Sequence, residues 1–121
     1  NGITWWPARN AWIIVGFNTT SVFSWVPGAK EATVIGEGPG GADGVVVMAD
    51  GGIVFTSWAD STISLLYEGH ATGMRRAMNA PADLGYDPLR GILAVPLFND
   101  NQVVFWSVTT SPASTSAALR R

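Results

Sequence analysis

The chain has 121 residues, of which 47% are hydrophobic and 13% charged, which fits one folded domain or a piece of one and excludes disorder over most of the length. A net charge of −2, with the Arg and Lys residues scattered, leaves no footprint for nucleic acid or an anionic membrane. There is no cysteine, so disulfides, thiolate metal sites and cysteine nucleophiles are excluded, and no apolar run reaches the length of a membrane span.

The chain starts at Asn1 rather than Met, as a processed or partial chain would. A short apolar run, Ile3–Trp5, leads into a turn at Pro7-Ala8-Arg9-Asn10, where Pro fixes φ and Asn tolerates a positive one. A second apolar run reaches Phe17, a polar turn follows at Asn18-Thr19-Thr20, and a third strand alternates through Val22-Phe23-Ser24-Trp25. A weaker, more polar strand spans Glu31–Ile35. The same grammar then recurs: Val45–Met48, the turn Asp50-Gly51-Gly52, a run to Trp58, the turn Ala59-Asp60-Ser61, Ile63–Leu66 and a fourth strand in Ala71–Met78. A third copy runs through Leu84–Tyr86, Asp87-Pro88-Leu89-Arg90-Gly91, Phe98 and Asn99-Asp100-Asn101.

The copies align. At an offset of 81 residues Phe17 falls on Phe98, Asn18 on Asn99, Val22 on Val103 and Trp25 on Trp106. At an offset of 41 Trp58 takes the place of Phe17, and Ile63 that of Val22. A period of about 40 residues, each holding four short strands, predicts an all-β chain of about three β-propeller blades, over roughly 1–41, 42–80 and 81–108. A β-sandwich would explain the strands but not the registered repeat. The third copy lacks an evident fourth strand, and 109–121 reads as a polar tail, with helix conceivable only after Pro112. Propellers typically have four to eight blades, so three leave apolar faces open. Two completions are expected: a homodimer closing a six-bladed ring, or a missing half on other polypeptide.

The blade starts Asn1-Gly2-Ile3, Ala42-Asp43-Gly44-Val45 and Pro81-Ala82-Asp83-Leu84, with Gly85-Tyr86-Asp87-Pro88 and Val95-Pro96-Leu97-Phe98-Asn99-Asp100-Asn101, resemble the six-bladed senescence-marker-protein/gluconolactonase superfamily and related NHL-repeat propellers. The resemblance covers residues 1 to about 107. It implies a metal-dependent hydrolase of sugar lactones, with Ca2+ or another divalent metal at the ring axis and a secreted or periplasmic setting. By motif, Asn1 and Asp43 take ligand places, and oxygen ligands of this kind suit a hard cation. The third copy has Ala82 in the corresponding slot and Asp83 one residue later; the family's early-blade Glu has no counterpart. A non-catalytic propeller scaffold, or a self-assembling fragment, is the alternative.

Asn1-Gly2 and Asp43-Gly44 also admit a plain reading, as turn residues entering a strand. Glu37, in the glycine-rich stretch Gly36–Gly41, is a candidate substrate contact near the channel mouth. Asn99-Asp100-Asn101 is read as a hairpin turn, His70 as a solvated loop residue and Arg75-Arg76 as a solvated outer edge. Phe17, Trp58 and Phe98 are read as inter-blade core. With one histidine and no nucleophile placed beside it, no Ser–His–Asp arrangement is expected.

Overall fold

A computed structural model describes residues 1–109 and 118–120 of the chain. Strands β1 (Gly2–Trp6) and β2 (Ala11–Val15) are joined by one 3-10 turn, Pro7–Arg9. Asn10 closes it at φ 48° and donates its N–H to the Pro7 carbonyl. Strands β3 (Ser21–Trp25) and β4 (Thr33–Glu37) complete an antiparallel sheet in chain order. The second sheet repeats the plan with β5 (Ala42–Val47), β6 (Ile53–Ser57), β7 (Thr62–Tyr67) and β8 (His70–Arg75). The third holds β9 (Gly85–Asp87), β10 (Ile92–Leu97) and β11 (Gln102–Thr109).

The chain is therefore all-β, built of antiparallel, blade-like sheets with a repeat of about four strands. Among the described residues, no helix is long and apolar enough to cross a membrane. Residues Ala118–Arg120 form a short strand, β12, paired antiparallel with Ser107–Thr109 of β11. The sequence reading leaves 109–121 as a polar tail; within it, the backbone of Ala118–Arg120 pairs with the open edge of β11. The rest of that tail, 110–117 and 121, lies outside the described residues.

The sheets stack in sequence order, with β1 beside β5 and β5 beside β9. Burial follows from this. Strands β6 and β7 of the middle sheet are buried at almost every position, because both faces are covered. Strands β2 and β10 of the flanking sheets bury only alternate residues. One core, with Ile13, Val15, Val22, Ile53, Phe55 and Leu66, lies between the first two sheets. The other, with Val54, Ile63, Leu65, Leu93, Val95 and Trp106, lies between the second and third.

The period-2 alternation also fixes what faces outward. Cross-strand register puts Ile3, Trp5, Trp12, Ile14, Phe23 and Trp25 together on the outer face of the first sheet. On the outer face of the third sheet it groups Ile92, Ala94, Pro96, Val103 and Phe105. Ile3 is 61% and Phe105 65% exposed, far from what such residues adopt in a finished core.

Candidate functional site

The first strands of the three sheets start at one end of the molecule, and their starting residues meet there. The amino group of Asn1 donates to the Val15 carbonyl at 2.6 Å, holding residue 1 on β2. Its side-chain Nδ2 donates to Asp43 Oδ1 at 2.9 Å. Asp43 is half-buried in β5, and Asp83 stands exposed in the bend before β9. Burial, and then the negative charge of Asp83, push the Asp43 carboxyl above its usual range. The Trp58 indole and the amino group of residue 1 pull the other way. Trp58 Nε1 lies near Asp43 but completes no hydrogen bond, and remains a buried donor without a partner. Thus Asn1, Asp43 and Asp83, singled out in the sequence, come together.

Register explains how. Ala42 pairs with Ser57 and Val45 with Phe55, so Asp43 and Gly44 together oppose Thr56 alone, a bulge. The third sheet also carries one extra residue here, since Pro81 bridges Leu97 and Gly85 pairs with Ala94, which sets 82–84 opposite 95 and 96. Thr56, completely buried, replaces the missing ladder bonds: Oγ1 accepts the Gly44 N–H at 2.9 Å and donates to the Ala82 carbonyl at 3.0 Å. One hydroxyl therefore ties the bulge carrying Asp43 to the segment carrying Asp83. The sequence signal for this residue was available, for its repeat equivalents are Val15 and Pro96, which have no hydroxyl.

The structure also bears on the plain reading of the Asn-Gly and Asp-Gly pairs. Neither Gly2 nor Gly44 has φ in the left-handed region. They are needed for space. A Cβ on Gly2 would strike the Asp43 carbonyl oxygen and stand 2.9 Å from Val15 Cγ2. A Cβ on Gly44 would strike the Leu84 nitrogen and stand 2.8 Å from Asp83 Cα. Each glycine lets the next sheet's first strand press against its backbone.

Other candidates separate from this cluster. Glu37 ends β4, three strand spacings, roughly 14 Å, from β1. It accepts from Thr20 Oγ1 at 2.6 Å and Ser21 Oγ at 2.9 Å, and these hydroxyls hold its carboxyl below the usual range. Asn99 and Asp100 lie at a 3-10 turn closed by Asn101 at φ 51°, and both bond Asn79, so the turn reading describes them well. His70 is exposed but opens β8 rather than sitting in a loop, because Glu68 at φ 49° and Gly69 at φ 81° make the hairpin just before it. Arg75 is not a fully solvated edge: its guanidinium lies 5.3 Å from the Trp106 ring centroid.

The aromatic reading changes most. Phe17 and Phe98, expected in the inter-blade core, are 46% and 67% exposed. They flank half-buried Trp58, each 5.7 Å from its ring centroid. The repeat places one aromatic per sheet just past the end of the second strand, beyond the sheet-to-sheet core, where the rings pack on one another. They form an apolar ladder at the end that carries Asn1 and Asp43.

Among the described residues no three His, Cys, Asp or Glu side chains gather into a metal-binding group. Asn1, Asp43 and Asp83 supply hard oxygen donors, the right kind for calcium, but calcium takes about six to eight of them. The donors of this chain fit such an ion in kind and fall short in number. No known protein-family model matches the chain, and no curated protein matches it either.

Proposed function

We propose that the three sheets are consecutive blades of a β-propeller, completed by further blades, and that the molecule is a binding module whose site is the end bearing Asn1, Asp43 and Asp83. The observation that supports this best is the meeting of the first strands there, with the Asn1–Asp43 hydrogen bond and Asp83 near enough to raise the Asp43 carboxyl. The outward apolar faces favour completion, since contiguous large side chains such as Trp5, Trp12, Phe23 and Phe105 mark surfaces that bury against something. A second copy closing a six-bladed ring would also bring a second Asn1, Asp43 and Asp83.

The lactonase-like reading builds on the same end. In a completed ring Asn1, Asp43 and Asp83 would hold Ca2+ or another divalent metal together with donors from the added blades. A cation there can polarise a lactone carbonyl or activate water. The chain's own residues would orient it: the Asn1 amide donates to Asp43, and Thr56 fixes the bulge.

Two measurements test this. Sedimentation should give a mass above that of one chain, and Phe105→Asp on the outer face should lower it. A wild type that stays a folded monomer at high concentration counts against self-closure. Calorimetry with calcium chloride on the assembled protein should give heat that Asp43→Ala abolishes. Absence of heat from an assembled wild type removes the cation and leaves the scaffold.

A further inference from the structure

A second candidate site lies between the first two sheets, at the end away from Asn1. There β1 ends at Trp6, β2 begins at Ala11, β6 begins at Ile53 and β7 gives way to the Glu68-Gly69 turn. These elements enclose a groove of about 590 Å³, within the ordinary range for small-molecule sites. Its floor is apolar, with Ile53 and Leu66 almost wholly buried beneath it.

The walls carry charge of both signs. The Arg9 guanidinium lies 5.2 Å from the centroid of the Trp6 ring, and among the described residues it forms no ion pair. The turn holding Asp50 backs onto the same ring, because a Cβ on Gly51 would lie 3.4 Å from Trp6 Cζ2. Asp50 Oδ1 accepts the Gly52 N–H at 2.9 Å, while Oδ2 is shut from solvent without a partner. A buried carboxylate oxygen with no donor is costly unless something supplies one. Glu68 adds a second carboxylate at the rim, from a backbone position at φ 49° that glycine, Asn or Asp takes more readily.

A purely anionic ligand would satisfy Arg9 and leave Asp50 unpaired. A purely cationic one would do the reverse. We propose that this groove binds a zwitterion of the α-amino-acid type: carboxylate on Arg9, ammonium on Asp50, apolar side chain along Ile53 and Leu66. The Arg9 guanidinium lies over the Trp6 ring and the Asp50 turn backs onto the edge of that ring, so both charges border one indole. Asp50 lines the groove as a half-buried residue, and engaging the ammonium requires its carboxylate to turn Oδ2 toward the ligand. Both walls belong to this chain, so the inference does not depend on ring closure or on a cation at the Asn1 end.

The test is titration of the full chain with L-leucine, followed by calorimetry and by the indole N–H resonances. Saturable binding is expected. N-acetyl-L-leucine amide, which keeps the side chain and removes both charges, should bind at least about tenfold more weakly, as should L-leucine to Arg9→Gln or Asp50→Asn. Asp43→Asn, at the other end, should leave leucine binding intact even if it abolishes calcium binding, so the two sites fail separately. Absence of leucine binding to folded wild type, equal binding of the blocked compound, or undiminished binding by folded Arg9→Gln would overturn the proposal. The blocked compound acts on wild type, so the test survives if a variant fails to fold.

Discussion

Replacing Thr56 by Val keeps the shape of a fully buried side chain and deletes one hydroxyl. That hydroxyl makes two hydrogen bonds, to the Gly44 N–H and to the Ala82 carbonyl. The bulge gives Gly44 no ladder partner of its own, since pairing passes from Ala42 to Val45. Two bonds worth about 1 kcal/mol each would be lost, and desolvated backbone groups would be stranded, so the expected loss of stability is roughly 2–4 kcal/mol. With a urea dependence of about 2 kcal/mol per molar, the unfolding midpoint should fall by about 1–2 M. Wild type, Thr56→Ser and Thr56→Val should be unfolded at one protein concentration, because association would shift the midpoint. Ser keeps both bonds and loses only a methyl group, about 1 kcal/mol. The expected order is wild type, then Ser, then Val. A Val variant as stable as Ser would refute the claim that this hydroxyl joins the second and third sheets.

Gly44→Ala should destabilise by about 2–3 kcal/mol or more, since the new Cβ meets backbone rather than a flexible side chain. Gly85→Ala, with nothing within 4 Å of its Cβ, should be neutral or slightly stabilising in the same denaturation series. The Asp43 carboxyl titrates above the 3.8 of a free side chain, so the folded state holds its proton longer than the unfolded state does. Its cost to stability is absent below the unfolded pKa and grows as pH rises through the folded pKa. Asp43→Asn, which can still accept from Asn1, should therefore be the more stable form at pH 7 and lose that advantage near pH 3; an advantage that persists unchanged in acid would contradict the assignment.

Local periodicity in the sequence was enough to locate nearly every strand. Alternation and turn chemistry depend on neighbours along the chain, so the second strands ending before Phe17, Trp58 and Phe98, and the turns at Pro7–Asn10 and Asp87–Gly91, were legible there. The Asn-Gly and Asp-Gly starts were legible as special positions, but the reason was not. Their glycines serve the backbone of the next sheet, a contact between residues some 40 positions apart that no local pattern encodes.

Tertiary structure alone decided the rest. It brought Asn1 to Asp43 and Asp83 near enough to shift a carboxyl, and left Glu37 on a distant outer strand among hydroxyls. It moved Phe17 and Phe98 out of the core, because recurrence marks an equivalent position without saying whether that position lies between the sheets or beyond them. It also set Arg9, Asp50 and Glu68 around one groove, although they come from two sheets and had drawn no notice in the sequence as a group. Sequence by itself determined the strands, their period and the all-β class, since these follow from side-chain alternation and turn residues. Which side chains share a site depends on how the sheets stack, and that rests on two apolar cores, glycine-sized gaps and one buried hydroxyl between strands far apart in the chain.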